Sequence, residues 1–299
     1  MNNIRCEADL YGYSKYLADF LNYDFAPLSL RGFQHGWIWW DPNDFEPSKS
    51  FGLDPNTSEY WGILVQDSSV ADSLLKRGIF ALPCGLPFLN WIRHMSKDVN
   101  SSENRSSEVL YVPSHSNPWI DISSDVRSRA IRFSERYKGA QILLGGNDSH
   151  LANELSAYYS KVHIGASVSD TNSFARLLSA FNSCYYMITD AIGSHICYAL
   201  HCGMKVGLHT DFYDLVYGPQ PINSTDFHRL NRDQLSGIQF VSSLKYLQNR
   251  FRGLLVSDQN LPIYSIAPEI SDCSPCDIAH LLGWDITYAC ELPKHSFQK

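Results

Sequence analysis

Four short turns carry most of the side chains in this 299-residue chain that could do chemistry. They are Gln34-His35-Gly36, Ser114-His115-Ser116, Gly145-Gly146-Asn147-Asp148, and Asp190 followed by Gly193-Ser194-His195. Hydroxyls, imidazoles and glycine amides dominate, with no dense cage of carboxylates. That mixture suits a phosphate held by N–H groups, hydroxyls and an imidazole. Ser114, His115, Ser116, Ser194 and His195 would supply the polar side chains, and Gly145, Gly146 and Gly193 the bare backbone. A carboxylate beside a phosphate is unfavourable, so Asp190 is expected to orient its turn or contact a hydroxyl.

His35 lies in a glycine-flanked loop dense in aromatics. Its ordinary pKa near neutrality makes it a candidate general base. Glycosyl transfer needs such a base, to take the acceptor hydroxyl proton as the sugar–phosphate bond of the donor breaks. Asp41 is a second candidate, with Glu7 and Asp9 behind it. Each of these residues also has a plainer reading. His35 could donate to a backbone carbonyl, His115 could mark a helix entry in a turn-prone Ser-His-Ser-Asn-Pro run, and Ser194 could be an N-cap.

These turns need strands and helices to hold them. Tyr185 to Ile188 is a short apolar run bounded by Thr189-Asp190, which predicts a buried parallel strand. A helix should begin near Ser194 and stop at Gly203, with a new strand from Val206. Upstream, strands are expected over 109–113, 141–144 and 162–165, and helices over 121–138, 148–160 and 171–183. That alternation predicts an α/β fold with a parallel sheet. Asp190, Ser194 and His195 would then sit where strands end and helix dipoles begin, the edge at which open α/β sheets bind ligands.

Residues 7–22 predict an amphipathic helix with Leu10, Tyr13, Leu17, Phe20 and Leu21 near one face, and with Gly12 at a bend or close approach. A small α/β unit follows, built on strands near 61–65 and 79–83 and a helix over 68–77. Residues 96–107 are linker-like, giving a small N-terminal domain at 1–98 and a larger one at 99–299. Residues 211–240 read as irregular, and 241–252 as a helix. Near the end, Ser274, Pro275 and Gly283 predict a capped helix.

Composition narrows the possibilities. Hydrophobic residues make up 44% and charged residues 18%, enough for a sizeable core. A net charge of −7 argues against a general nucleic-acid binder. Eight scattered cysteines and a start without a signal-peptide pattern point to a reduced, cytosolic compartment. No segment is apolar enough to span a membrane, though peripheral contact with one is compatible with the sequence. GxGxxG, GxxxxGK[ST] and GxSxG are all missing, which argues against dinucleotide oxidoreductases, P-loop NTPases and serine hydrolases. Cys273-x-x-Cys276 with His280 lacks a partner pair at zinc-binding spacing, so no metal and no cofactor are expected.

Several pieces together resemble a family. They are Phe33-Gln34-His35-Gly36-Trp37, Val112-Pro113-Ser114-His115-Ser116, the run from Ile188-Thr189-Asp190 through Ser194-His195 to Tyr198-Ala199-Leu200, and Gly203-Met204-Lys205-Val206. They resemble bacterial capsule and lipopolysaccharide glycosyltransferases of the GT-B type, including those that use CMP-linked Kdo or sialic acid. The His-Gly and Thr-Asp-x-x-x-Ser pieces are also similar to teichoic-acid glycerophosphotransferases, and the closing Leu281-Leu282-Gly283-Trp284 helix to one near the end of such chains. The resemblance implies two Rossmann-like domains facing a cleft. A CMP- or UDP-linked sugar would sit on the C-terminal domain, and a glycan or lipid-linked acceptor on the N-terminal one. His115, Ser116, Ser194 and His195 would touch the donor phosphate, and His35 would lie near the reaction centre. The chain departs from this pattern in a short first domain and in His115-Ser116 where CMP-sugar enzymes tend to carry His-Pro. Two other functions fit the same scaffold. A sugar-nucleotide epimerase would act on UDP-GlcNAc without an acceptor. A non-catalytic assembly partner would bind no nucleotide.

Overall fold

The computed structural model describes residues 10–27, 29–34, 36–37, 62–95, 105–116, 121–165, 170–190, 193–208 and 267–284. They form an α/β fold of the Rossmann-like kind with two sheets, both wholly parallel. The smaller sheet has strands β1 (Gly32–Phe33), β2 (Ile63–Val65) and β3 (Ala81–Pro83), in that order. The larger has β4 (Ser106–Val112), β5 (Gln141–Leu144), β6 (Lys161–Ile164), β7 (Cys184–Thr189) and β8 (Lys205–Leu208). Its spatial order is β6-β5-β4-β7-β8. The chain steps outward from β4 in one direction, then returns to pair β7 on the other side. The β4–β7 seam is therefore the topological switch point of a doubly wound sheet.

The period-2 alternation of the strands sorts their side chains onto two faces. Tyr111, Ile142, Leu144 and Ile188 face helix α4 (Ser123–Arg136), which answers with Val126, Ala130 and Phe133. The Tyr111 and Phe133 rings stack with centroids 3.9 Å apart. Leu110, Val112, Leu143 and Met187 face the other way, onto α6 (Ser173–Ser183) and α7 (Ser194–His201). The same buried cluster takes in Tyr13, Phe33, Leu64, Leu86 and Phe88, so one apolar core joins the large sheet to the small one. The small sheet's other face is covered by α2 (Ser68–Leu75), through Val70, Ala71 and Leu74.

Several boundaries differ from the sequence expectation. Helix α1 is Tyr13–Phe20, because Tyr11 and Gly12 both have positive φ and end the preceding turn. Gly12 is the expected close approach: a Cβ there would lie 2.7 Å from the Thr171 Cα. The buried face of α1 is Tyr13, Ser14, Leu17 and Ala18, whereas Phe20 is 46% exposed. In place of one helix over 148–160, a 3-10 stretch at Gly146–Leu151 leads into the single turn α5 (Ala152–Leu155). Strand β4 begins at Ser106, inside the stretch read as linker. After β3 the chain forms α3 (Pro87–Asn90) and a wide helical turn at Trp91–Met95. The regions expected to be irregular at 211–240 and helical at 241–252 lie outside the described residues.

Helix α7 ends as expected. Gly203 takes φ 78°, and the Met204 N–H donates to Ala199 O at 3.0 Å, closing the helix in a Schellman motif. The last helix, α8 (Pro275–Leu281), carries the Ser274–Asp277 capping box, Pro275 in its first turn and Gly283 at φ 83°. Residues 267–284 return to the small sheet. Ser271 N–H donates to Gln66 O at 2.9 Å, Leu30 N–H to Leu282 O at 2.8 Å and Asn90 Nδ2 to Cys273 O at 2.7 Å. Among the described residues no helix is long and apolar enough to cross a membrane.

Candidate functional site

The two central strands β4 and β7 end side by side, and their exits are tied together. Asp190, the residue after β7, is 1% exposed. Its carboxylate accepts from the Tyr111 hydroxyl at 2.7 Å, the Ser114 N–H at 2.7 Å, the Ser114 hydroxyl at 3.2 Å and Arg129 Nη1 at 2.8 Å. Arg129 also donates to Ser114 Oγ at 2.7 Å, so that hydroxyl is used in both senses. Burial, and then the adjacent carboxylate, push the Tyr111 phenol well above its ordinary pKa, which keeps it a donor. The Asp190 carboxylate therefore ties the Ser114 turn to the end of β7 and to Arg129 of α4.

A second buried acid pins the other side of the same turn. Asp148 Oδ2 accepts from the Ser116 N–H at 2.8 Å, and Asp148 has no exposed surface. Asn147 Nδ2 donates to Ser116 O at 3.1 Å, and Ser116 Oγ accepts from the Ile122 N–H at 3.0 Å, at the entry to α4. Ser114 and Ser116 are buried, and His115 between them is exposed. The turn is thus held by its neighbours and presents one imidazole. Gly145 makes room for it: a Cβ there would lie 2.6 Å from the His115 Cβ. Part of the His115 ring meets solvent, yet the protein packed around its inner side still lowers its pKa. Asp148 and Asp190 oppose that effect.

Helix α7 begins at Ser194, four residues after Asp190. Its N-cap is Gly193, in extended backbone and with no side-chain cap, so Ser194 is the first helical residue and not the cap. The Ser194 hydroxyl is turned to the small sheet, where Oγ accepts from the Trp37 N–H at 2.7 Å. Gly36 has φ +73°, and a Cβ there would lie 2.3 Å from Ser194 Oγ. His195 Nε2 stands 2.9 Å from Thr189 Oγ1, at the end of β7, and its ring covers Gly193. The turns of Ser114–Ser116, Gly145–Gly146, Asp190 and Gly193–His195 are thus brought to one edge. Gly36 and Trp37 reach that edge from the other sheet. His35 and Asp41, the expected catalytic pair, lie outside the described residues, as do Glu7 and Asp9.

Two features were missed in the sequence. Arg129 falls on the buried face of α4, three residues after Val126 and four before Phe133. A lone arginine at a core-facing helical position is itself a signal for a buried acid partner. The second is the exit of the small sheet. There Gln34 Nε2 donates to Gln66 Oε1 at 2.8 Å and to Gly36 O at 2.6 Å, while Gln34 Oε1 accepts from the Gln66 N–H at 3.2 Å. The pair anchors the Gly36 loop. Among the described residues no three His, Cys, Asp or Glu side chains are grouped to hold a metal ion. No protein-family model matches the chain, and no curated protein matches it in sequence.

Proposed function

We propose that the protein is a nucleotide-sugar-dependent glycosyltransferase of GT-B architecture. It moves a sugar from a CMP- or UDP-linked donor to a glycan or lipid-linked acceptor in surface-polysaccharide synthesis, at the cytoplasmic face of a membrane, without a metal or other cofactor. The observation that carries this reading is the β4–β7 switch point. An exposed His115 on a doubly pinned turn and an uncapped α7 N-terminus meet there, beside a loop from the other sheet. Ligands of doubly wound sheets bind at that crevice, and anions favour a free helix N-terminus.

In this mechanism the donor phosphate lies against the first turn of α7 and the His115 imidazole. Negative charge grows on the leaving phosphate as its bond to the sugar breaks. Fixed N–H groups and imidazoles already aimed there stabilise that charge without reorganisation. His35 takes the proton of the attacking acceptor hydroxyl, and the Gly36–Ser194 contact keeps the two halves of the site in register. His115→Ala should weaken binding of CMP or UDP about ten-fold, the worth of one charge-assisted hydrogen bond. His35→Ala should keep binding and lose turnover. Isothermal titration of each variant with both nucleotides, alongside a sugar-transfer assay, checks this. Unchanged nucleotide binding in His115→Ala sinks the site.

A further inference from the structure

The two buried acids beside His115 are not equivalent. Asp190 has a cation, Arg129, at 2.8 Å and three further donors. Asp148 forms no ion pair among the described residues. Its Oδ2 receives the Ser116 N–H, and its Oδ1 is buried with no hydrogen-bond partner. A buried, unpartnered carboxylate oxygen is costly, and native structures carry few of them. An asparagine could accept from the Ser116 N–H equally well. The hydrogen bond therefore does not explain the acid. What an acid adds is a negative charge, and it is held against the amide that directly follows His115.

We infer that Asp148 is a positioning residue that places a proton on His115 when an anion occupies the β4–β7 edge, so that binding a phosphate-bearing ligand there takes up a proton from solvent. This rests on the reading of the edge as a phosphate site. The charged groups bonded to the residues on either side of His115 are Asp148, from the turn after β5, and Asp190, from the turn after β7, the latter offset by Arg129 of α4. The protein packed against the inner side of the half-open ring favours its neutral form in the free protein. An incoming phosphate adds a second negative charge on the solvent side. The ring then lies between two anions and binds a proton, and the Ser114 and Ser116 anchors stop it from swinging away. No bond between heavy atoms changes. One proton passes from water or buffer to the imidazole, and the phosphate gains an imidazolium partner.

The test has two arms. In the first, inorganic phosphate, CMP and UDP are titrated calorimetrically near neutral pH, in buffers of different ionisation enthalpy. Wild type should show a binding enthalpy that depends on the buffer, with proton uptake. In Asp148→Asn the uptake should fall and anion affinity drop about ten-fold. His150→Gln, an exposed histidine after the same turn, should behave as wild type. In the second arm, the His115 ring signal is followed by NMR against pH with no ligand present. Its midpoint should move to lower pH in Asp148→Asn. A folded Asp148→Asn with unchanged midpoint and unchanged uptake overturns the role of Asp148. If that variant does not fold, the wild-type buffer series decides, and binding without proton uptake overturns the inference. If none of the three anions binds while the midpoint still moves, the phosphate reading and proton-linked binding fall together, and only the electrostatic action of Asp148 on His115 survives.

Discussion

The carboxyl ends of the two sheets solve the same problem with different chemistry. At the small sheet, Gln34 and Gln66 are almost completely buried and bond to one another. An amide both donates and accepts, so the two side chains satisfy one another, and Gln66 Nε2 donates onward to the Asp67 carboxylate at 3.0 Å. Asp67 is in turn the N-cap of α2, accepting from the Val70 N–H and the Ser69 hydroxyl. At the large sheet the binding groups are carboxylates. A carboxylate only accepts, so Asp190 and Asp148 must draw donors from strand exits, from α4 and from the turns around them. The small edge is thereby an amide scaffold for the Gly36 loop, with the Asp67 carboxylate committed to a helix cap. The large edge keeps a field and an exposed imidazole, and that is where chemistry is expected.

Removing one member from each network tests this contrast most directly. Asp190→Ala takes away four hydrogen bonds and leaves Arg129, whose side chain is 12% exposed, without its anion. Breaking a buried ion pair from one side costs about 3–5 kcal/mol. Gln34→Ala leaves the buried Gln66 N–H and Oε1 without this partner, a loss of about 1–3 kcal/mol. Urea unfolding of both variants should give the larger loss for Asp190→Ala. Equal losses would break the distinction between an edge tied by an ion pair and one tied by amides.

Acid sensitivity should also map to the large sheet. His163, on edge strand β6, is 9% exposed and lies 2.8 Å from Gln141 Oε1. Burial, with Lys161 adding to it, lowers its pKa to about 4. The unfolded chain protonates this histidine near its ordinary pKa of about 6.5, whereas the folded chain resists until about pH 4. The unfolded state therefore binds more protons within that window, and stability falls as pH drops through it. The histidine accounts for about 3 kcal/mol of that fall. His163→Gln should show a shallower loss of unfolding free energy between pH 7 and pH 4, with little change in slope above pH 7. An unaltered pH profile would move the acid-sensitive group elsewhere.

Much of this architecture is legible in the sequence, for identifiable reasons. Short apolar runs ended by turn residues mark β5, β6 and β7, and glycine stops mark the ends of α7 and α8. The Ser274-Pro275 start is a local signal too, because capping is settled within one helical turn. The pairing of β4 with β7 is not local. It joins Val109 to Tyr186 across a long stretch of chain and creates the switch point. The residues of the candidate site stand out in the sequence by type, but their partners do not. Arg129 and Tyr111 meet Asp190 only once α4 and β4 are packed. Serine at a helix start commonly caps it, whereas Ser194 already lies inside α7 and its hydroxyl contacts the other sheet.

That hydroxyl marks the place where the two edges meet. Gly36 combines a left-handed φ of +73° with a position where a Cβ would stand 2.3 Å from Ser194 Oγ. Gly36→Ala therefore meets two separate penalties, backbone strain and a steric clash, together about 2 kcal/mol. Ser194→Ala alone loses the acceptor for the Trp37 N–H, at about 1 kcal/mol. In the double variant the clash is gone and only the strain and the lost bond remain, so the two effects should sum to less than their separate costs. A double-mutant cycle by urea unfolding should give a favourable coupling of about 0.5–1 kcal/mol. Strict additivity would mean that the Gly36 loop and the α7 N-terminus are independent, and that the small sheet's edge has no mechanical hold on the large sheet's.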